Sequence, residues 1–261
     1  MKYDTVKDKF AKYIDLFPTL RVCFYTFLDL ILLRQMYVKQ KIGTYFTPGK
    51  PMAFYDAGAG FCQYSYHILK KYPHSRVLTV DLKEDYMDSF KSYAEDNLEG
   101  IITVKQADLQ NFVPKEQYHL AIAIDILEHI EDDVSVMKNI HSSLKKDGIF
   151  IVSTPSNFDE AAKFTEEHVR PGYDKKELED KLTDSGFKII ESAYSYGRYG
   201  KIAWKLGMKI PMQLAGKGVF GMIAAGMWMT MLYPVNYLLM KKDLITENSI
   251  GNGIIIVAEK V

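Results

Sequence analysis

The stretch MAFYDAGAG, residues 52–60, decides the fold of this chain. Its first half is a short apolar run of the kind that forms a buried strand in a parallel sheet. Its second half places Gly58 and Gly60 at alternate positions, where the backbone can turn tightly and approach another group closely. A buried strand that runs directly into such a turn predicts the first unit of an α/β sheet.

Further apolar runs repeat this arrangement along the chain. Together with 52–57, the predicted strands are 77–82, 101–105, 118–124, 149–154, 187–194 and 253–258. Helical patterns at 61–72, 84–97, 132–146 and 174–185 separate most of them. Strands and helices in alternation predict a doubly wound sheet, whose ligands bind beyond the carboxyl ends of the strands. Functional residues are therefore expected directly after the strands.

Acids occur at the ends of the first four predicted strands, namely Asp56, Asp81, Asp108 and Asp125. A carboxylate placed like Asp81 can accept both hydroxyl protons of a ribose, and Asp108 can accept a proton from an adenine amino group. The turn lacks the third glycine of a nicotinamide fingerprint, because Gln63 occupies that place. The pattern favours a nucleoside cofactor that is not a nicotinamide dinucleotide.

The ordered set of motifs resembles the class I S-adenosylmethionine-dependent methyltransferases. DAGAG at 56–60, VDL at 80–82, QADL at 106–109 and DILEHI at 125–130 carry the resemblance, which covers about residues 50–195 and the final strand. The nearest group is the small-molecule branch that includes the ubiquinone-pathway O-methyltransferases. The resemblance implies a Rossmann-like, doubly wound, seven-stranded sheet with an antiparallel last strand, and S-adenosyl-L-methionine as cofactor.

The same resemblance implies a set of cofactor-binding residues. They are Asp56, Ala57, Gly58, Gly60, Asp81, Leu82, Asp108, Leu109, Asp125 and Ile126. In this assignment the glycine turn and Asp56 hold the methionine part, Asp81 the ribose and Asp108 the adenine, while Asp125 lies beside the sulfonium. One departure is Cys62, which stands where the family has a third glycine.

The resemblance also places Glu128 and His129 at the mouth of the cofactor pocket, facing the methyl acceptor. A neutral imidazole there could take a proton from a hydroxyl as the methyl group arrives, so we predict catalytic roles for both. Two alternatives stay open: the pair merely fixes the loop, or it joins Asp125 in holding a divalent ion. Our prediction is that the site contains no metal.

A polar segment after the fifth strand resembles the loop that covers the acceptor in this branch. His168, Arg170 and Tyr173 are its predicted lid residues, and a plain surface loop is the alternative.

Charge and motif content argue against nucleic-acid substrates. The chain has 33 basic and 33 acidic residues, so it presents no overall field to a polyanion. The Asn/Asp-Pro-Pro-aromatic motif of base amine methylation is absent at 125–128, and Cys23 and Cys62 do not follow a proline near that strand, as cytosine methylation requires. Two cysteines and no recognisable signal peptide favour a cytoplasmic protein.

The segments flanking the predicted core are apolar. We predict an N-terminal helical cap at 1–48, with helices near 4–16 and 19–41, a methyltransferase core at 49–196 and 249–261, and an apolar helical insertion at 197–248. Residues 218–240 contain no charge, and Gly221, Gly226, Pro234 and Asn236 are expected to interrupt them. A single membrane crossing is excluded, because the insertion lies between two strands of one sheet.

Lysines precede this apolar run at intervals of four residues. Lys201, Lys205 and Lys209, with Trp204 and aliphatic residues between them, form a cationic amphipathic pattern typical of a membrane surface. We therefore predict O-methylation of a hydrophobic or lipid-linked small molecule by a protein peripheral to the inner face of a membrane. The alternatives are a soluble polar metabolite or sugar as acceptor, with the insertion as a cap or dimer interface, and an inactive cofactor-binding scaffold.

Overall fold

The structure is a computed structural model that describes residues 18–158 and 169–261. Its strands are β1 Ala53–Ala57, β2 Ser75–Asp81, β3 Gly100–Gln106, β4 Tyr118–Ile124, β5 Leu144–Pro155, β6 Phe187–Ser195 and β7 Gly253–Lys260. Each of the seven predicted strands is thus confirmed. The helical pattern at 4–16 lies outside the described residues.

The strands form one sheet in the order β3-β2-β1-β4-β5-β7-β6. Strands β1 to β5 pair in parallel, and β7 is antiparallel to both β5 and β6. This confirms the Rossmann-like sheet with an antiparallel last strand. Ala57 pairs with Val80 on one side and with Ala123 on the other, so the residues after β1, β2 and β4 emerge at one edge. The strand order reverses there, which creates the crevice where such sheets bind ligands.

Helices cover both faces of the sheet. They are α1 Pro18–Ile31, α2 Leu33–Tyr45, α3 Gln63–Lys71, α4 Asp85–Asn97, α5 Asp133–Ser143 and α6 Lys175–Asp184. Successive strand residues point to opposite faces, so Phe54 packs in the core shared with α2, α3 and α4, and Tyr55 packs in the core shared with α5 and α6. The N-terminal helices therefore belong to the same face of the sheet as the glycine turn's helix.

Two predicted helices have different bounds in the structure. The pattern at 19–41 is two helices, because Leu32 is extended (φ −100°, ψ 105°) and the N–H of Arg34 donates to the hydroxyl of Tyr196 at 3.1 Å. The pattern at 132–146 ends at Ser143, because Leu144 is buried and pairs with Tyr118 at the start of β5. In both cases a contact distant in sequence overrides helical periodicity.

The insertion between β6 and β7 is helical, as predicted. It comprises α7 Arg198–Trp204, a π-helical turn Lys205–Lys209, α8 Ile210–Ala215 and α9 Val219–Ile245. The expected interruptions of the apolar run are wrong, since α9 continues through all four residues. Two of these residues are packing contacts instead: a Cβ on Gly221 would lie 2.0 Å from the carbonyl oxygen of Leu214, and Asn236 packs against Gly207.

One side of α9 is exposed and apolar. Its exposed apolar residues are Val219, Phe220, Met222, Ile223, Met227, Met231, Val235, Leu238 and Ile245. Phe220 is 88% exposed, so this side is not packed on the sheet. Within the described part of the chain, α9 is the one helix whose length and composition would suffice to cross a membrane, and only 17% of its most apolar window is buried.

Candidate active site

The turn after β1 has the backbone geometry that its glycines predict. Gly58 has φ +79°, and a Cβ there would lie 2.7 Å from Cγ1 of Ile126. Cys62 also has a left-handed backbone (φ +59°), at the place where the family has glycine. Its side chain is buried, and burial raises the pKa of the thiol. Cys62 therefore adopts the left-handed conformation that glycine adopts readily.

Asp56 lies beneath this turn. Its carboxylate is buried and accepts a hydrogen bond of 2.6 Å from the hydroxyl of Ser65 on α3. Burial raises the pKa of Asp56 to about 7, although the hydrogen bonds from Ser65 act in the opposite direction. Asp56 lines neither of the two cavities at this edge of the sheet. Its hydrogen bond connects the end of β1 to α3, and its role beside the methionine part of the cofactor stays a prediction.

The first cavity, of about 390 Å³, follows the ends of β1 to β4. It is lined by Gly58, Asp81, Leu82, Ala107, Asp108, Leu109, Gln110, Ile126, His129, Ile130, Glu131 and Val169. Six of the predicted cofactor residues thus meet here. Sequence reasoning missed Ile130, the last residue of DILEHI, as well as Gln110 and Glu131, which directly follow motifs, and Val169, which lies next to the predicted lid residues. The volume is in the usual range for small-molecule sites, so the residues present fit a nucleoside cofactor.

Hydrogen-bond donors orient Asp81 and Asp108 in this cavity. Asp81 accepts hydrogen bonds from the N–H groups of Gly60 at 3.0 Å and Lys83 at 3.1 Å. Asp108 accepts from the N–H of Gln110 at 2.9 Å and from the side-chain amide of Asn111 at 3.0 Å. Asp81 therefore connects the glycine turn to the end of β2, and both carboxylates are held at the cavity wall.

The second cavity, of about 200 Å³, lies between the sheet, the N-terminal helices and the insertion. Its lining is Leu32, Arg34, Asp125, Ser153, Thr154, Pro155, Ser195, Tyr196, Lys201, Trp204, Asn252 and Gly253. Asp125 has a left-handed backbone (φ +49°), and its carboxylate forms an ion pair with Arg34 of α2. Sequence reasoning missed this pair, because Arg34 and Asp125 are distant in the chain.

Glu128 and His129 lie in a 3₁₀ turn, Leu127–His129, between the two cavities. The Glu128 side chain is 1% exposed and accepts a 3.0 Å hydrogen bond from the hydroxyl of Thr154, which lines the second cavity. Burial raises the pKa of Glu128, against the opposing influence of His129 and Arg34. His129 lines the first cavity. The turn therefore contacts both cavities through adjacent residues.

Arg170 and Tyr173 anchor this turn. Arg170 donates to the carbonyl oxygens of Leu127 at 2.7 Å and Glu131 at 3.0 Å, and it pairs with Asp133 at 3.1 Å. The hydroxyl of the fully buried Tyr173 donates to Asp133 at 2.5 Å. The two side chains hold the turn, which differs from the lid position expected from the sequence.

Two predictions remain, the one about His168 as a lid residue and the one about a metal ion. His168 lies outside the described residues. Among residues 18–158 and 169–261, no three histidine, cysteine or acidic side chains are grouped closely enough to hold a metal ion. Asp125, Glu128 and His129 accordingly do not form such a group.

Comparison with known proteins agrees with this geometry. A family model described as a methyltransferase domain matches residues 49–201, which is more than half of the chain. The ubiquinone biosynthesis O-methyltransferase of Rickettsia canadensis (strain McKiel) is 22% identical over 201 residues, covering 68% of this chain and 80% of that protein.

Two solved structures show the same fold. Phosphoethanolamine N-methyltransferase 2 from Haemonchus contortus, in complex with S-adenosyl-L-methionine, has a TM-score of 0.58 at 15% identity, covering 85% of this chain and 51% of that chain. Coclaurine N-methyltransferase bound to N-methylheliamine and SAH has a TM-score of 0.55 at 14% identity, covering 87% of this chain and 72% of the other. This chain therefore belongs to the methyltransferase-domain family, and it is an enzyme that uses S-adenosyl-L-methionine to methylate a small-molecule acceptor.

Proposed function

We propose that the protein methylates an oxygen atom of a hydrophobic or lipid-linked small molecule at a membrane surface. The observation that carries this proposal is that the insertion forms part of the wall of the second cavity. Lys201 and Trp204 line that cavity and belong to α7, the first helix of the insertion, while α9 of the same insertion exposes an apolar side. An acceptor that reaches the cavity along the insertion would meet apolar surface first.

The cofactor and the methyl acceptor would bind in different cavities. When bound, the cofactor supplies an electrophilic methyl group on a sulfonium. We assign its nucleoside to the first cavity, with Asp81 holding the ribose and Asp108 the adenine, and we assign the acceptor to the second. Asp125 lines the second cavity and its neighbour Ile126 lines the first, so the methyl group would pass at this point of the chain. The negative charge of Asp125 favours a sulfonium nearby.

We assign proton transfer to the turn between the cavities. His129 would take the proton of the acceptor hydroxyl, and Glu128 would position the turn through its hydrogen bond to Thr154. Methyl transfer needs chiefly alignment of two groups, so most of the rate would come from holding cofactor and acceptor in place.

The insertion supports a membrane surface as the place of action. An exposed apolar helix preceded by Lys201, Lys205 and Lys209 combines the features of an interfacial segment, since apolar residues enter the headgroup boundary and lysines attract anionic lipids. The proposal includes a chain organised as an N-terminal cap, a methyltransferase core and an insertion. It also places the protein at the inner face of a membrane. We prefer oxygen as the methylated atom because the Rickettsia relative is an O-methyltransferase.

A labelling experiment tests the acceptor class. The purified protein is incubated with a total membrane-lipid extract, or with an aqueous metabolite extract, and with cofactor carrying a deuterated methyl group. We expect a labelled methyl in the lipid phase, detected by mass spectrometry, and much less of it when Asp81→Ala protein is used at a cofactor concentration below the Kd of the native protein. Label confined to the aqueous extract would replace our proposal with the soluble polar acceptor, which the charged residues of the second cavity favour.

A further inference from the structure

The second cavity presents two cationic side chains at the place that we assign to the acceptor. Arg34 and Lys201 contribute two cations, and Asp125 contributes one carboxylate, so these side chains leave one positive charge in a cavity of about 200 Å³. A sulfonium bound next to Asp125 would add to that charge. Opposite charges at such short range in a partly buried site attract by several times more than they do in water.

Arg34 is held in place for binding an anion. Its backbone N–H donates to Tyr196 at the break between α1 and α2, which sets the residue at the cavity wall. Its Nη1 pairs with Asp125, and its guanidinium also interacts with the buried hydroxyl of Tyr64. A guanidinium offers its nitrogens in a planar fork that matches a carboxylate or phosphate, and Arg34 lines the cavity where we place such a group.

Apolar groups complete the cavity. Leu32 and Pro155 line it together with the indole of Trp204, which lies one helical turn after Lys201. Such a lining suits an acceptor that has both a charged group and an apolar body.

We propose that the methyl acceptor carries a phosphate or carboxylate, which Arg34 and Lys201 bind in the second cavity while its apolar part packs on Trp204. This inference rests on the proposed assignment of that cavity to the acceptor. The anionic group belongs either to a lipid headgroup or to a soluble metabolite, and its chemistry is the same in both.

Trp204 provides a direct measure of binding. The chain has two tryptophans, and Trp228 lies on α9, where its ring nitrogen donates to Leu206. In a Trp228→Phe background, fluorescence therefore reports on Trp204 alone. The probes are octyl phosphate, its neutral counterpart octyl glucoside, and inorganic phosphate, each added as monomers to protein saturated with S-adenosylhomocysteine.

We expect octyl phosphate to bind at least about tenfold more tightly than octyl glucoside, the usual effect of a charge-assisted hydrogen bond. Arg34→Gln and Lys201→Met should each abolish that preference. Arg198→Met is the matched control: Arg198 is an exposed cation three residues before Lys201 and does not line the cavity, so the preference should persist. Binding of S-adenosylhomocysteine verifies that each variant is folded. If Arg34→Gln does not fold, the result for Lys201→Met alone tests the proposal.

The remaining outcomes separate the sources of the anion and the two proposals. Inorganic phosphate binding as tightly as octyl phosphate supports the anion site and indicates a soluble acceptor, whereas preference for octyl phosphate indicates a lipid. Equal binding of the charged and neutral octyl probes, or an equal loss in Arg198→Met, overturns the inference. That result would leave the lipid-labelling outcome unaffected, because labelling does not depend on the acceptor's charge.

Discussion

Asp81 is the residue on which cofactor affinity should depend most. Its carboxylate accepts two backbone hydrogen bonds and lines the first cavity, so it is already oriented for a ribose. Removing a carboxylate that accepts two hydroxyl groups costs roughly 2–4 kcal/mol, so we expect Asp81→Ala to weaken S-adenosylhomocysteine binding at least about tenfold. Calorimetry measures this. An unchanged affinity, or tight binding of a nicotinamide dinucleotide by the native protein, would contradict the assignment.

His129 tests the proposed route of the proton. If His129 is the base, His129→Ala should lower kcat about 10²-fold and leave the affinity for S-adenosylhomocysteine nearly unchanged, because the loss concerns proton transfer. The ring lines the cofactor cavity, so affinity is the discriminating measurement. A loss of affinity at constant kcat would make His129 part of the cofactor wall. If a chelator abolishes activity and Glu128→Gln loses activity as His129→Ala does, the metal alternative is favoured.

Asp56 should make stability fall as pH rises. The unfolded carboxyl ionises near pH 4, but burial holds the pKa of the folded one at about 7, so between these values the folded state retains a proton that the unfolded state has lost. The free energy of unfolding should therefore decline across this window. Asp56→Asn removes this contribution, and its stability relative to the native protein should rise by about 3–4 kcal/mol between pH 4 and 8. Urea denaturation at each pH measures the gap, and a constant gap refutes it.

Site residues that belong to a local sequence motif could be predicted from the sequence. Site residues that depend on contacts distant in the chain could not. Asp81 and Asp108 follow strands that their own sequences specify, and the structure places both at one cavity. Arg34 became part of a site only because α1 breaks at Leu32 and α2 brings it to Asp125, far along the chain. Tyr173 is similar: its burial against Asp133 depends on the packing of α5, which no pattern near residue 173 reveals.

The existence of the helices and strands was easier to predict than their bounds. Seven apolar runs identified seven strands, because buried parallel strands are apolar at nearly every position. Helical periodicity continued into β5, since Leu144 satisfies both a helix face and a strand core until its pairing with Tyr118 is known. In α9, glycine, proline and asparagine looked like breaks, yet the helix continues through them, and Gly221 and Asn236 pack closely against α8 and the π-helical turn.

Asp243 fastens α9 to the rest of the molecule. Its fully buried carboxylate accepts hydrogen bonds from the N–H of Gly200 at 2.8 Å and from the hydroxyl of Tyr37 at 3.0 Å. Asp243→Ala leaves these donors without that partner, which should cost roughly 2–4 kcal/mol of unfolding free energy. Asp184→Ala, at the exposed end of α6, should change it by less than about 0.5 kcal/mol. Equal effects of the two substitutions in denaturant titrations would show that this fastening is unimportant.

For the molecule as a whole, topology limits what the insertion can do. Both of its ends join strands of one sheet, β6 and β7, which pair with each other. Exposed apolar surface on this scale is uncommon in monomeric soluble proteins and marks a contact with another surface. The position of the insertion beside the second cavity makes a lipid surface consistent with the proposed acceptor, and it is the reason for testing membrane contact on the intact protein.

We expect the intact protein to float with vesicles that contain anionic phospholipid. Each lysine near such a surface contributes about 1 kcal/mol, so replacing Lys201, Lys205 and Lys209 by Glu should weaken binding by at least roughly two orders of magnitude and leave the variant in the soluble fraction at moderate salt. The matched control replaces Lys115, Lys146 and Lys188, three exposed lysines of the core, by Glu and should still float. Both variants should bind S-adenosylhomocysteine. A native protein that ignores vesicles and stays monodisperse without detergent, or a control that detaches equally, would leave α9 as a subunit interface and remove the main support for a lipid acceptor.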